Sequence, residues 1–382
     1  MTKLDELIQE LCPDGVEFVS MNELLKRKQI STITPTIKVK RNDYLDIGET
    51  PIISQEIEYI SGYCNFHDKN IPCGNYVCFG DHSEHIKYIN FSFVQGADGL
   101  KIMRTNESTI SSRYLFHALS SKYQRHNNYE RHFKYLTDTI IPVPPLPVQR
   151  EIVRILDNFT ELTAELTAEL TARKKQYAYY RDKLLTHSSE TKICKLADVC
   201  ESIADGDHMP PPKADDGIPF ITISNITEQN KIDFSNTMFV PSSYYDALAD
   251  KRKPHSGDIL YTVVGSYGIP VCIEQDTKFV FQRHIAILRP RSEVIKARYM
   301  FHAMQSGAFK AQADKAAKGA AQKTIGLSSL AEMTLPVPDM CIQERLIHVL
   351  DNFDAICTDL NIGLPAEIEA RQKQYEYYRD KL

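Results

Sequence analysis

PVPPLPVQREIVRILDNF at residues 142–159 returns as PVPDMCIQERLIHVLDNF at residues 336–353. Further along each copy, RKKQYAYYRDKL at 173–184 returns as RQKQYEYYRDKL at 371–382. A repeat of about 200 residues is too long for a solenoid unit and indicates a duplicated module of one domain and one helix. Such a chain can present two similar surfaces to one extended partner.

Each copy of this repeat predicts a long amphipathic helix. Apolar residues recur every three or four positions over 152–184 and again over 342–382. A helix of about 38 residues would be about 57 Å long, and its single apolar face needs a partner, so we expect the two helices to pack antiparallel. Gly363 and Pro365 predict a break or kink in the second helix.

A shorter repeat, TELTAELTAELTA, lies inside the first helix at residues 160–172. Leucines four residues apart advance by about 400° per step, so an added TAEL unit nearly preserves the buried face and adds about 6 Å. Two interpretations remain open. The repeat is either a passive duplication in a tolerant helix or a spacer whose length matters.

The segments between the repeats predict one fold that carries two different sequences. Strand-like runs occur at 75–79, 88–94, 219–224, 259–264 and 279–288. A short helix is predicted near the end of each segment, at 114–124 and 299–312. The predicted fold class is α+β, with two similar mixed α/β domains separated by two long antiparallel coiled-coil-like helices in a pseudo-two-fold symmetric arrangement.

Composition limits the class of protein. The chain has 382 residues, of which 42% are hydrophobic and 25% charged, as in ordinary globular proteins. No apolar run is long enough for a membrane helix, and the N-terminus does not resemble a signal peptide. Nine cysteines without a framework favour reduced thiols and a cytoplasmic location. The net charge of −5 is unusual for a nucleic-acid-binding protein, but basic patches can lie on an acidic body.

The common catalytic motifs are absent from the sequence. It contains no phosphate-binding loop, no dinucleotide fingerprint, no Gly-x-Ser-x-Gly and no Asn-Pro-Pro-aromatic tetrad. Asp258 with Asp276 and Lys278 comes nearest to a metal-dependent nuclease cluster. Charged residues at strand ends explain this pattern more simply.

One cluster raises the possibility of a metal site. Six potential ligands lie within 22 residues, namely Cys64, His67, Cys73, Cys78, His82 and His85. Their spacing matches no standard zinc module, and the corresponding strand of the second segment has no cysteine or histidine. We therefore favour buried thiols and surface histidines and predict no metal.

Several loops combine basic and polar side chains that suit DNA. In the first segment these are KVKRND (38–43) and KYQRHNNYERHFK (122–134). In the second they are DGDHMPPPK (205–213), ITISNI (221–226), DKRKPHSGD (250–258), GSYG (265–268) and KAAKGAAQKT (315–324). Lys and Arg neutralise phosphates, whereas Asn, Gln and Arg read base edges.

The pattern G-A-A-Q-K-T-I…L…L-P-V-P…Q…I…L-D-N-F over 319–353 resembles the specificity subunits of type I restriction–modification systems. Three other segments are also similar to that family: the matching first-half segment IIPVPPLPVQREIVRILDNF, the DGDH-x-P-P segment near Asp205 and the GIPFITISNI strand. The resemblance covers the whole chain and implies four parts in order. These are target-recognition domain 1 (1–145), spacer helix 1 (146–190), target-recognition domain 2 (191–338) and spacer helix 2 (339–382).

The resemblance implies a non-catalytic DNA-binding subunit. Each recognition domain would read one half of a bipartite, asymmetric target in double-stranded DNA, and the helices would set the gap. Two modification subunits, which bind S-adenosylmethionine and methylate adenine, and two motor-nuclease restriction subunits, which use ATP and Mg, would assemble on this chain. The second copy ends at YRDKL, whereas the first copy continues after YRDKL with LTH. This difference departs from the family pattern. The alternatives are a stand-alone coiled-coil DNA-binding regulator and, less favoured, a fused restriction–methylation enzyme.

Candidate DNA contacts follow from the basic and polar loops. In the first domain they are Lys38, Lys40, Arg41, Arg125, Asn127 and Arg131. In the second domain they are His208, Lys213, Asn225, Lys253, Ser266, Tyr267, Arg283, Gln322 and Lys323.

Overall fold

The structure is a computed structural model that describes residues 2–35, 37–65, 70–96, 99–186, 191–206, 211–227, 229–319, 322–358 and 363–381. The chain divides into two compact units. Unit 1 comprises Met1–Glu165 and Ile368–Leu382, and unit 2 comprises Leu166–Glu367. Each unit therefore contains one globular segment and parts of both long helices. No helix among the described residues is long and apolar enough to span a membrane.

The first half of the chain alternates short helices and strands before one long helix. The helices are α1 (Lys3–Leu11), α2 (Met21–Lys26), α3 (Ser112–Lys122), α4 (Phe133–Asp138) and α5 (Leu146–Leu184). The strands are β1 (Phe18–Ser20), β2 (Ile30–Ile33), β3 (Thr50–Ile53), β4 (Gly62–Cys64), β5 (Tyr76–Gly80), β6 (Ile86–Ile89), β7 (Val94–Gln95), β8 (Leu100–Thr105) and β9 (Ile140–Pro142).

The second half has a closely matching set of elements. The helices are α6 (Leu196–Val199), α7 (Ser242–Ala247), α8 (Ala297–Met304), α9 (Gly307–Ala316), α10 (Leu327–Glu332), α11 (Met340–Thr358) and α12 (Leu364–Lys381). The strands are β10 (Lys192–Lys195), β11 (Cys200–Asp205), β12 (Ile218–Ile221), β13 (Met238–Val240), β14 (Ile259–Thr262), β15 (Pro270–Cys272), β16 (Val280–Phe281), β17 (Ile285–Pro290) and β18 (Thr334–Val337).

The sheets of the two halves have the same topology. Unit 1 has an antiparallel sheet β2-β8-β5-β6, a mixed sheet β4-β3-β7 and a ribbon β1-β9. Unit 2 has the equivalent antiparallel sheet β11-β17-β14-β15, mixed sheet β13-β12-β16 and ribbon β10-β18. In both mixed sheets the central strand pairs in parallel with β7 or β16. The prediction of one fold with two sequences is therefore confirmed.

Two predicted strands are each divided between sheets. The run 279–288 forms β16, which pairs with β12, and β17, which pairs with β11 and β14. A turn at 282–284 separates them, with Ile285 N donating to the carbonyl oxygen of Gln282 at 3.0 Å. The run 88–94 is divided in the same way, between the end of β6 and the start of β7. Apolar side chains flank both turns closely, and the polar residues between them, Gln282–His284 and Asn90, do not by themselves show a change of sheet.

The helix predicted at 299–312 is two helices. α8 ends at Met304 and α9 begins at Gly307, after Ser306, whose side-chain oxygen accepts a hydrogen bond from Phe309 N. A serine in this position satisfies a backbone donor at the start of a helix and so favours a new helix over continuation. The second long helix ends as α11 at Thr358, and α12 starts at Leu364.

The long helices pack antiparallel. Within unit 1, the ring of Phe159, early in α5, stacks on that of Tyr378, late in α12, with centroids 5.4 Å apart. Within unit 2, Tyr177 and Tyr180, late in α5, stack on Phe353 in α11 at 6.3 and 6.0 Å. α5 is continuous over 39 residues, as the sequence predicts.

Each globular segment is held to a long helix by equivalent polar contacts. In unit 1, Gln149 Oε1 accepts a hydrogen bond from Ser111 N at 2.9 Å, and in unit 2 Gln343 Oε1 accepts one from Lys296 N at 2.9 Å. Both glutamines are fully buried. These contacts fix the position of the helix after β8 or β17 and hence of the loops that follow it.

Candidate nucleic-acid interface

In each unit, the carboxyl ends of three strands meet at one edge. In unit 1, Gly96 N, after β7, donates to the carbonyl oxygen of Ile53 at the end of β3, at 2.8 Å. Ser83, after β5, donates from its hydroxyl group to the carbonyl oxygen of Gln55. We call the edge formed by the ends of β3, β5 and β7 the first rim.

The equivalent edge of unit 2 is formed by the ends of β12, β14 and β16, and we call it the second rim. Gln282 N, after β16, donates to the carbonyl oxygen of Ile221 at the end of β12, at 3.0 Å. Val263 N, after β14, donates to the carbonyl oxygen of His284 at 2.9 Å. The two rims therefore share the backbone hydrogen bond between their parallel strands but differ in their side chains and their other connections.

A connecting segment closes each rim. In unit 1 it is residues 123–132, between α3 and α4, and it lies on the β5–β6 turn. In unit 2 it is residues 317–319 and 322–326, between α9 and α10, where Gly265 N donates to the carbonyl oxygen of Lys323 at 3.0 Å and Ile325 N to that of Val263 at 2.8 Å. Both closing segments are rich in basic and amide side chains, which suits contact with DNA.

The predicted contacts of the first domain lie around the first rim. Lys38 pairs with Gln95 at the end of β7, and Val39 N donates to the carbonyl oxygen of Gln95 at 3.0 Å. Arg41 forms an ion pair with Glu56, just after β3. Three further predicted residues, Arg125, Asn127 and Arg131, lie on the closing segment, and Lys40 lies beside Arg41; all four are exposed.

Five predicted contacts of the second domain come together at the second rim. Ser266 and Tyr267 follow β14, Arg283 lies in the turn between β16 and β17, and Gln322 and Lys323 lie on the closing segment. The hydroxyl group of Tyr267 donates to Asp314 Oδ1 at 3.0 Å, which fixes its ring beside α9. The sequence clusters 265–268 and 315–324, far apart in the chain, are thus neighbours.

The remaining second-domain candidates lie elsewhere. Lys253 lies near the opposite, amino end of β14, where its carbonyl oxygen accepts from Arg289 and its ammonium group donates to the carbonyl oxygen of Asp246 at 2.9 Å. Lys213 is exposed next to β13. Asn225 is only 6% exposed, and its amide group bonds within the protein to Thr222, Asp233 and Asn236. His208 lies outside the described residues.

Both rims carry cations that are available to an anion. Lys40, Arg131, Arg283 and Lys323 form no ion pair with any residue that the structure describes. Exposed and unpaired cations are the groups that neutralise DNA phosphates and release counterions. The rims therefore have the local positive charge that the net charge of the chain does not reveal.

Several rim residues lie outside the set of contacts predicted from the sequence. Tyr129 is 90% exposed, and its ring stacks on that of His82 at 5.3 Å between centroids. Gln282 Nε2 lies 3.1 Å from His284 Nδ1 beside Arg283. The YERH and FQRH motifs, each an aromatic ring near Arg-His, could have identified both places.

Two rim histidines are poor phosphate ligands at neutral pH. Burial, with the charges of Arg125 and Lys87, lowers the pKa of His85. Burial and the neighbouring charge of Arg283 lower the pKa of His284. Neutral imidazole donates and accepts single hydrogen bonds, so these side chains suit base edges or neighbouring side chains better than phosphates.

The other chemical clusters have structural explanations. Asp258 is buried and bonds to the Arg289 guanidinium through both carboxylate oxygens at 3.1 Å, and Asp276 accepts a hydrogen bond from Ser256 N. Of the metal candidates, Cys64 and Cys78 are buried in different sheets, and burial raises the pKa of Cys78 to about 12. No group of three potential ligands among the described residues could hold a metal, and His67 lies outside them.

The chain matches the family described as the type I restriction modification DNA specificity domain at residues 13–173 and again at 188–370. It belongs to this family. It is a specificity subunit of a type I restriction–modification system and serves DNA sequence recognition, as the sequence resemblance predicted. The two matches cover both globular segments and most of both long helices.

Curated relatives match the chain over most of its length. It is 30% identical to the specificity subunit of the type I restriction enzyme EcoR124I/EcoR124II from Escherichia coli, with 100% of this chain and 96% of the relative covered. It is 28% identical to a putative type I specificity subunit, S.MpnORF89P, from Mycoplasma pneumoniae, with 78% of this chain and 89% of the relative covered.

Solved structures show the same fold at low sequence identity. A type I specificity subunit from M. genitalium aligns with a TM-score of 0.59 at 13% identity, covering 96% of both chains. A chain from a study of complex assembly and conformational transition of the type I restriction–modification system aligns with a TM-score of 0.58 at 16% identity, covering 97% of both chains. The predicted fold class is therefore confirmed.

Proposed function

We propose that this specificity subunit reads a bipartite, asymmetric target in double-stranded DNA through its two rims. The main support for this proposal is that the first and second rims share their strand topology but differ in their side chains. Equivalent backbones place the reading residues in equivalent positions, whereas different side chains select different bases. Two unlike half-sites follow from this arrangement.

The proposed DNA contacts are those predicted from the sequence, and most of the described ones lie at the two rims. Arg125, Asn127 and Arg131 are exposed on the first closing segment, and Gln322 and Lys323 on the second. Lys213 and Lys253 lie away from the second rim and would contact the phosphate backbone. The buried amide of Asn225 would support the second rim by fixing the turn that follows β12.

The long helices would set the unspecified gap between the half-sites and scaffold the complex. We assign the four predicted parts to residues 1–145, 146–190, 191–338 and 339–382. The proposed partners are two modification subunits with S-adenosylmethionine and two restriction subunits with ATP and Mg. The specificity subunit itself would contribute no catalytic residue and no cofactor, and the complex would act in the cytoplasm.

Methylome sequencing tests this function directly. Expression of the chain with its modification subunits should produce adenine methylation at one bipartite, non-palindromic motif. Replacing residues 191–335 with the corresponding segment of a relative should change one half of the motif and leave the other half and the gap unchanged. A palindromic motif, or a change in both halves, would contradict the proposal. Turnover of S-adenosylmethionine by the purified chain alone would contradict the non-catalytic assignment.

A further inference from the structure

Glu84, in the turn between β5 and β6, is a buried carboxylate whose partners all come from one other segment. It is 3% exposed and has a left-handed backbone with φ of 58°. Its carboxylate accepts hydrogen bonds from the Tyr123 hydroxyl group at 2.6 Å, from His126 N at 2.9 Å and from Asn127 N at 2.8 Å. The three donors all belong to the closing segment of the first rim.

The backbone of the closing segment is shaped around this carboxylate. Asn127 has a positive φ of 53°, and its N–H and that of His126 point at the same anion. Successive N–H groups that end in a left-handed residue form an anion-binding concavity. Without the carboxylate, these two N–H groups would point at the same place with no protein acceptor. The conformation of residues 123–127 therefore depends on Glu84.

The rest of the closing segment continues this anchoring on the same turn. The backbone N–H of His132 donates to the carbonyl oxygen of Asp81 at 2.8 Å, and His132 Nε2 lies 2.7 Å from Asn128 Oδ1. The carbonyl oxygen of Glu130 lies 3.0 Å from His82 Nδ1. His132 is thus buried and Glu130 half-buried against this turn, whereas Arg125, Asn127, Tyr129 and Arg131 remain exposed.

We propose that Glu84 is a positioning residue for base recognition by the first domain: its carboxylate fixes the closing segment so that Arg125, Asn127 and Arg131 face the first half-site. This inference rests on the proposed function. Specific reading requires donors held in place before DNA arrives, because ordering a loop on binding reduces affinity. The second closing segment is held by backbone pairing between Lys318 and Thr324 and has no such carboxylate among its described contacts.

The test uses the complete complex of this chain with its modification subunits and a target identified by methylome sequencing. Glu84→Gln keeps the size of the side chain but replaces one acceptor oxygen with an amide donor, which opposes His126 N in either orientation of the amide because both carboxylate oxygens accept from His126 N. Binding is measured on the cognate duplex and on duplexes with one changed base in either half-site. We expect the preference for the correct base in the first half-site to fall about tenfold, with the preference in the second half-site unchanged.

Two further variants separate positioning from general stability. Ile110→Val shortens a fully buried side chain in the hydrophobic core that also contains Tyr123. It should lower the stability of the fold without changing either base preference. Tyr123→Phe removes one bond to Glu84 but keeps the ring on Phe79, at 5.2 Å between centroids, and should cause a smaller loss than Glu84→Gln at the same half-site. Tyr123→Phe decides the question if Glu84→Gln does not fold.

The outcomes distinguish this inference from the function on which it rests. If the wild-type complex shows no base preference in either half-site, the proposed function fails. If the wild-type complex discriminates normally while Glu84→Gln and Tyr123→Phe keep the first half-site preference, the positioning role of Glu84 is wrong. An equal loss in both half-sites, or the same loss in Ile110→Val, would also overturn it.

Discussion

The hydroxyl group of Tyr177 lies 3.0 Å from Nδ1 of His302, in the buried contact between α5 and α8 of unit 2. The opposite ring nitrogen, Nε2, lies 2.6 Å from Asp351 Oδ1. An imidazole that donates from Nε2 to the carboxylate accepts at Nδ1 from the tyrosine, so both ring nitrogens are satisfied. The same three residue types recur in unit 1, with one difference.

In unit 1, His117 Nε2 lies 2.8 Å from Asp157 Oδ1, but its buried Nδ1 has no hydrogen-bond partner among the described residues. Tyr375 is the sequence counterpart of Tyr177 in the repeat and packs on the core that contains Ala118, next to His117, without a hydrogen bond to a residue that the structure describes. The two halves therefore use the same residues but complete the hydrogen-bond chain only in unit 2.

Tyr177→Phe should therefore lower the free energy of unfolding by about 1 kcal/mol, since it leaves His302 Nδ1 buried without a donor. Tyr375→Phe is the matched control and should have almost no effect. Chemical denaturation of the full chain measures both. Equal losses for the two variants would show that the hydroxyl group of Tyr177 contributes only packing.

The pH dependence of stability should differ between two neighbouring carboxylates on α11. Burial favours a raised pKa for Asp351, but hydrogen bonds from His302 and Arg298 outweigh burial and lower it. Burial raises the pKa of Asp354. A carboxylate with a lowered folded-state pKa stabilises the fold above its unfolded pKa of about 4, and this contribution is lost as the pH falls below that value.

Asp351→Asn should therefore lower the thermal midpoint at pH 7 and approach the wild type near pH 3. Asp354→Asn should lower the thermal midpoint less at pH 7, because burial already disfavours the charged form of Asp354. Calorimetry of both variants across this pH range tests the difference. A larger loss for Asp354→Asn at pH 7 would reverse the assignment.

Lys323 should contact one DNA phosphate, and the salt dependence of DNA binding should reveal this contact. It is exposed on the second closing segment and has no ion-pair partner in the described parts of the chain. Lys323→Ala should weaken binding to all sequences alike and reduce the slope of log affinity against log salt by about one. Lys253→Ala should have a smaller effect, because its ammonium group is already bonded to Asp246 and lies at the other end of β14. If Lys323→Ala leaves affinity and slope unchanged, this loop is merely solvated.

Periodicity and repetition predicted the long helices and the duplicated fold because these features depend on local spacing. The polar residues at 282–284 interrupt the apolar run, but which sheet each part joins depends on tertiary pairing and was not predictable. The same limit applies to the site. Lys323 and Ser266 are neighbours only because Gly265 pairs with the closing segment, and Glu84 resembles an ordinary loop acid until Tyr123 is seen beside it.

The TAEL repeats give the last prediction, which concerns the gap between the half-sites. α5 is helical throughout 160–172, so deleting residues 167–170 removes about 6 Å of helix and about 40° beyond a full turn. DNA rises about 3.4 Å per base pair, so the deletion corresponds to at most about two base pairs. Because overtwisting DNA is costly, we expect the gap to shorten by about one base pair, with both half-sites unchanged.

The deletion variant should still fold, since Leu166 then takes the place of Leu170, seven residues before Tyr177, and the apolar face continues. Methylome sequencing of a strain that expresses the variant gives the gap directly. Substitution of Thr167 and Glu169, the exposed threonine and glutamate of the same unit, keeps the length and is the matched control, which should leave the gap unchanged. An unaltered gap with full methylation in the deletion strain would mean that the repeat is passive filler and that other contacts set the spacing.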